Sequence, residues 1–331
     1  MMPGAGRARG AGWRLRDAWR RATHGSAGRS ADGPIIVCLL AMLVGPYALG
    51  AQPRERRTYS TSAPEAKLML YYSSTVAFSP LGIPLGADKP AARMVGTRRA
   101  SAWVEAAVEV SYLPPLSASQ RTAGSDKAEA TNLAPVFARP RIGVRLPAGL
   151  GLELSWIPPV RLFDVKANLL AGAVSRAIAL PSRVRLVPRV AVLGGRVEGP
   201  ITCNRDTARG AGASLATYYA LVCYGNNSRD FFEPRQLSGE LLVARSSTSG
   251  RWQPYASAGA RYERTRFDVG VIRRDGTRDR DQPVIGVNAT RPYVAAGTSW
   301  LAPRNARLAA ELYYAPGSVV TMRALAGVRL W

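Results

Sequence analysis

Apolar residues recur at every second position through much of this chain, and many of the residues between them are charged. The stretch "SAWVEAAVEVSY" (101–112) sets Val104, Ala106, Val108, Val110 and Tyr112 against Trp103, Glu105, Ala107, Glu109 and Ser111. In "ARPRIGVRL" (138–146), Ala138, Pro140, Ile142, Val144 and Leu146 alternate with Arg139, Arg141, Gly143 and Arg145. A period of two places the sets on opposite faces of a strand. An amphipathic helix would need apolar spacings of three and four. Alternation continues in 150–156, 164–180, 183–192, 236–245, 252–270, 285–300, 306–315 and 319–331, so ten strands are predicted. Pro140 and Pro188 are blemishes, because proline lacks a ladder donor.

The gaps between these segments are unequal. Working back from Trp331 they are 316–318, 302–305, 271–284, 246–251, 193–235, 181–182, 157–163, 147–149 and 113–137. Every second gap is short, and all the long ones belong to the other set. An antiparallel meander would therefore carry tight turns on one rim and long loops on the other, as transmembrane β-barrels do. In lipid every backbone polar group must be paired internally, so such a sheet has to close. The expected fold is all-β, a transmembrane antiparallel up-and-down β-barrel of about ten strands.

The polar face carries Arg139, Arg141, Arg145, Lys166, Arg176, Arg183, Arg185, Arg189, Arg261, Arg307, Arg323 and Arg329. It also carries Glu105, Glu109, Glu153, Glu240, Glu263 and Glu311. Enclosed in a narrow lumen, these charges need one another or water, since an unpaired buried charge is heavily penalised. In 164–180 the same rule sends Val165, Ala167, Leu169, Ala171 and Ala173 to lipid and Lys166, Asn168 and Arg176 inward. The basic surplus predicts an anion-preferring lumen. A secreted soluble barrel or sandwich with a solvated Arg/Glu face would show the same alternation.

The start of the chain reads as an export signal. Residues 1–33 are basic, Ile35–Val44 is a short apolar run, and Ala48, Gly50 and Ala51 are small. That is the order of a secretory signal, with cleavage expected after Ala51. Residues 52–99 then form a periplasmic or plug segment, and 100–331 the barrel. Residues 64–78 are either a short plug helix or a strand that pairs within 211–222 to make twelve.

Removing 1–51 takes away His24, the only histidine, together with Cys38. No Ser-His-Asp or Cys-His nucleophile can then be built, and no histidine-containing zinc site. No Walker-type or GxGxxG phosphate loop is present. No enzyme activity, cofactor or metal is expected. Cys203 and Cys223 remain and are expected to pair as a disulfide in an oxidising compartment. The shortened chain keeps 38 basic and 20 acidic residues. Its arginines alternate along strands and are not interleaved with stacking aromatics, which argues against nucleic acid as a partner.

The last ten residues, "MRALAGVRLW", alternate to the final atom. With Gly327, an apolar face continued by Leu330 and the terminal aromatic Trp331, they resemble the closing strand of bacterial outer-membrane β-barrel proteins. Trp331 departs in falling on the polar face. The resemblance implies outer-membrane localisation, a lipid surround and recognition of that strand by the barrel-assembly machinery. The expected function is a passive channel or transport-type barrel. The alternative is a closed, salt-bridged barrel that serves structurally or presents its loops.

Overall fold

The computed structural model describes residues 56–82, 103–115, 135–146, 149–204, 223–279, 284–302 and 305–330. The expected signal in 1–51, the alternative strand in 211–222 and Trp331 lie outside the described residues.

Among the described residues, ten long strands each pair with the long strands next to them in sequence. They are β2 (Trp103–Tyr112), β3 (Val136–Arg145), β4 (Leu150–Ile157), β6 (Val165–Arg176), β8 (Val184–Gly199), β9 (Asp230–Arg245), β10 (Trp252–Asp268), β11 (Val284–Leu301), β12 (Ala306–Ala315) and β13 (Val319–Arg329). Two-residue β5 (Arg161–Leu162) prolongs the β4–β6 hairpin, and β7 (Ile178–Ala179) prolongs the β6–β8 hairpin. Every one of these pairings is antiparallel, and β13 pairs with β2 from Arg323 opposite Ser111 to Arg329 opposite Glu105. The sheet is therefore closed, an up-and-down barrel of ten strands. The ladder continues to the last described residue, where the Leu330 amide donates to the Val104 carbonyl at 2.9 Å.

Gly327 lies at this closing seam. A Cβ there would meet the Ala107 Cβ at 2.9 Å and the Ala106 carbonyl at 3.1 Å, so only glycine lets the two strands approach this closely.

The barrel is inside-out relative to a soluble protein. Val108, Ile142, Leu154, Trp156, Val190, Leu241, Leu312 and Met322 all face outward and are 46–59% exposed. Arg139, Arg189, Glu105, Glu109, Glu263 and Arg323 are at most 2% exposed. On β10 the outward face runs from Trp252 through Pro254, Ala256, Ala258 and Ala260 to Tyr262, and only then becomes basic at Arg264 and Arg266. At a strand rise of about 3.3 Å per residue and a tilt near 40°, this band is about 25 Å tall, the height of a membrane barrel's apolar belt. Trp252, stacked on Trp300 of β11, marks one edge of the belt. No helix among the described residues is long and apolar enough to span a membrane.

One strand is turned over relative to expectation. On β6 the inward residues are Val165, Ala167, Leu169, Ala171, Ala173 and Ser175, while Lys166, Asn168 and Arg176 face outward and are exposed. Both faces of the middle of β6 are apolar, so the charges at its ends misdirected the assignment. Lys166 and Arg176 lie at the two rims, where an outward charge meets water or headgroups and incurs little cost.

The N-terminal segment enters the lumen. Strand β1 (Arg56–Thr58) pairs in parallel with the start of β11, Arg56 opposite Val284, at the rim of the long loops. Helix α1 (Pro64–Thr75) follows, and residues 76–82 continue through the interior toward the rim of the short turns. Pro64 opens α1 at a position where its missing N–H is not needed. Unlike an ordinary amphipathic helix, α1 has no polar stripe for water; it is buried over most of its surface.

Candidate functional site

The lumen holds two kinds of contact. In the half nearer the long loops, α1 packs by apolar contact. Ala66, Met69 and Leu70 meet Phe232, Phe267, Val287 and Ile201. Leu68 and Tyr71 meet Tyr293, Tyr313 and Val319. The Tyr71 hydroxyl donates to the Pro114 carbonyl.

Farther down, the wall grips the extended segment 76–82 by its backbone. Arg139 donates to the Val76 carbonyl at 2.6 Å and to that of Ala77 at 3.4 Å. Arg141 donates to the Ser79 carbonyl at 3.2 Å and Arg189 to that of Phe78 at 3.3 Å. From β13, two strands along the wall from β3, Arg323 donates to the Ala77 carbonyl at 3.0 Å and the Ser79 hydroxyl at 2.6 Å. Ser79 in turn donates to Glu311 at 2.6 Å, and the Gly82 amide donates to the Tyr255 hydroxyl at 2.8 Å. A strand passing through a barrel has no ladder partner for these groups. The arginines, with planar arrays of donors, supply them.

The same arginines are neutralised by the wall. Arg141 bridges Glu109 at 3.2 Å and Glu153 at 3.0 Å. Arg189 bridges Glu153 at 2.9 Å and also Glu240. Arg261 and Arg291 converge on Glu263 at 2.7 and 3.0 Å, and Arg307 meets Glu105 at 3.4 Å. At the centre lies the Phe78 ring, with the guanidinium carbons of Arg141, Arg189 and Arg139 at 4.5, 4.8 and 5.5 Å from its centroid.

Of the residues singled out in the sequence, Arg139, Arg141, Arg185, Arg189, Arg261, Arg307, Arg323 and all six glutamates are buried in the interior. Arg145 and Arg329 are half-buried near the short-turn rim, Arg329 lying over the Trp103 ring at 4.3 Å. Arg183 is not among the inward side chains. It is exposed on the turn Pro181–Arg183, where its φ of 61° breaks the strand alternation. Gly327 and Leu330 lie on the closing strand and just past it.

Sequence reasoning missed Arg291, Tyr255, Tyr293, Tyr313 and Gln236, which hold the plug or its carboxylates. Gln236 donates to the Ser73 carbonyl at 2.6 Å, and Tyr293 to Glu240 at 3.1 Å. Where a signal existed, it was positional. Gln236, Tyr255 and Tyr313 share strand parity with the inward charges Glu240, Arg261 and Glu311, whereas Arg291 and Tyr293 lie on β11, where the sequence reading assigns no charge inward.

Cys203 and Cys223 are joined by a disulfide and are buried. Around them, Asp230 accepts from the Thr202 amide at 2.6 Å, Ser228 at 2.7 Å and the Gly270 amide at 2.7 Å. This ties the β8–β9 and β10–β11 connections together. No group of three or more metal-ligating side chains occurs among the described residues.

These features define a class, a plugged β-barrel with an apolar exterior. The chain is similar to solved structures of bacterial outer-membrane proteins. Ail, the attachment invasion locus protein of Yersinia pestis, is 10% identical, with a TM-score of 0.28 over 69% of this chain and 97% of Ail. Neisserial surface protein A is 12% identical, with a TM-score of 0.28 over 69% of this chain and 95% of that one. The Ralstonia pickettii toluene transporter TbuX is 8% identical, with a TM-score of 0.30 over 77% and 98%. No protein-family model and no curated protein matches the sequence. The barrel assignment rests on the closed ladder itself.

Proposed function

We propose that the chain is an integral β-barrel of the bacterial outer membrane, closed at rest by its own residues 56–82. The observation that carries the membrane reading is the inside-out polarity: an apolar outer belt around an interior of paired Arg and Glu. A soluble barrel would have no reason to enclose these charges and expose Ile142, Trp156 and Met322 to water. Closure is supported by the plug, which is held from β3, β8, β9, β10, β11, β12 and β13. In this reading the barrel has no enzymatic role. Its lipid-facing wall contacts outer-membrane lipid, and β13 is the strand offered to the assembly machinery.

A passive channel is the second reading. It requires the plug to leave, because the arginine rows that would select anions are occupied by its carbonyls. Fractionation and gel migration test the first reading. The full chain is expected in the outer-membrane fraction and, when folded in detergent, to migrate differently before and after boiling. Recovery from the soluble periplasm would overturn it. Conductance separates the closed barrel from the channel. The intact protein is expected to be silent in a planar bilayer, whereas steady conductance from it would favour the channel.

A further inference from the structure

The barrel wall is not paired along its whole height. Strand β3 pairs with β4 only from Arg141 opposite Ser155 to Arg145 opposite Gly151. Above that point, toward the long-loop rim, residues 136–140 remain paired with β2 on their other side but with nothing on the β4 side among the described residues. The next opposed residues would be Pro140 with Trp156, then Arg139 with Ile157, then 138 with Pro158. Pro140, Pro158 and Pro159 all lack the N–H that a ladder needs. The chain after β4 leans the other way instead, β5 pairing with β6. Three prolines thus leave the upper part of the β3–β4 seam unzipped.

Immediately inside this seam lies an apolar cavity of about 120 Å³. Phe137 lines it on the β3 side of the seam, Ile157 and Val165 on the other, and Tyr72 of α1 and Phe232 of β9 form its floor and far wall. The inverted register of β6 contributes here, since it directs Val165, Ala167 and Leu169 into an interior that is ionic lower down. Outside the seam the surface is also apolar, with Val136, Trp156, Val160 and Leu162 40–57% exposed. Protein interiors seldom leave voids of this size unfilled. An apolar cavity of about 150 Å³ stays dry and accepts benzene.

The geometry points to a binding site for a small apolar molecule, of the size of one aromatic ring, that exchanges with the bilayer through the β3–β4 seam. The proposal rests on the membrane-barrel reading but not on an open axial pore. The cavity selects against charge, because no acidic or basic side chain lines it. The seam gives a route that leaves the ionic plug in place.

Fluorobenzene followed by fluorine NMR is the probe, with the full chain folded in phosphatidylcholine vesicles. Saturable binding is expected for the wild type. Ala167→Trp, or Val165→Phe if that variant does not fold, fills the cavity and is expected to weaken binding at least tenfold. Pro140→Cys with Trp156→Cys staples the seam on oxidation. This pair is expected to keep the affinity within about twofold while slowing exchange between bound and bilayer probe at least tenfold, with Pro140→Cys alone exchanging as the wild type does. No saturable binding, wild-type affinity in both folded filling variants, or wild-type exchange in the folded, stapled protein would each overturn the proposal. A chain that stays soluble without detergent or lipid would instead overturn the membrane reading, and that outcome is seen in fractionation before any probe is added.

Discussion

Phe78 is where the plug and the barrel depend on each other most directly. Its ring is buried among three guanidinium groups, each of which also ion-pairs with the wall. Phe78→Ala removes both the packing and the cation–π contacts, and a buried Phe→Ala change costs about 3–5 kcal/mol. A lower urea midpoint in detergent is expected, with a smaller fall for Phe78→Leu; equal midpoints for the two would deny the ring any special role. Glu153 has a comparable position on the wall, since it accepts from both Arg141 and Arg189. Glu153→Gln leaves two buried cations short of a counter-charge, and breaking a buried pair in this way costs about 3–5 kcal/mol. The same measurement checks it. Asp275, fully exposed on the β10–β11 connection, is a contrasting case. The hydroxyl and amide of Thr277 both donate to its carboxylate and hold its pKa below the ordinary range. Those bonds are present at neutral pH and are lost as pH falls through the depressed value. Thr277→Val should therefore move the Asp275 titration upward in carbon-detected NMR.

At the scale of strands, the inward face has its own packing rule: an aromatic side chain lies over a glycine of the neighbouring strand. A Cβ on Gly297 of β11 would lie 2.6 Å from the Tyr255 hydroxyl and 2.2 Å from the Ala310 carbonyl, and one on Gly259 of β10 would lie 2.9 Å from the Tyr293 ring. Gly297→Ala is expected to cost about 1–3 kcal/mol through overpacking, read as a lower temperature for loss of the folded gel band. The Cys203–Cys223 bridge, with a sequence separation of 20, acts at the same scale. Replacing both by Ser should cost about 3 kcal/mol by the chain-entropy argument, while the barrel still folds. Ten strands, their order and the parity of eight were legible in the sequence, because charge and apolarity alternate without ambiguity in segments such as 138–146, while 285–300 carried no alternating charge that assigned its face. Parity failed on β6, where apolar residues occupy both faces and the charges lie at the rims. The seam was not legible either. Pro140 read as a blemish on one strand, and its importance comes from Pro158 and Pro159 across the gap, a proximity that only the fold creates. The plug helix was one of two readings of 64–78, because its burial comes from the lumen and not from its own periodicity.

For the molecule as a whole, the ionic interior becomes functional charge only if the plug leaves. Deleting residues 56–82 would expose to water the arginines that now bind its carbonyls. Their cross-wall glutamates already carry part of that charge, so the expected result is a conducting barrel with modest anion preference, read as a reversal potential in a salt gradient. A silent deletion variant that migrates as a folded barrel would mean that other residues fill the lumen. The parallel pairing of β1 with the start of β11 has a topological consequence. Arg56 lies at the long-loop rim, whereas Trp103, where the barrel wall begins, lies at the other. Residues 56–82 run down the inside from the long-loop rim, so the wall is a hoop fastened around its own thread. The β13–β2 clasp can therefore shut only after the thread is inside, or the free end must afterwards be drawn up through a finished ring. Arg57, opposite Ile285, lies at the loop-side rim, and in the membrane-barrel reading it is within reach of the surroundings. A cysteine in place of Arg57 should thus react with a membrane-impermeant maleimide on intact cells, and protection there until lysis would mean that the thread runs the other way.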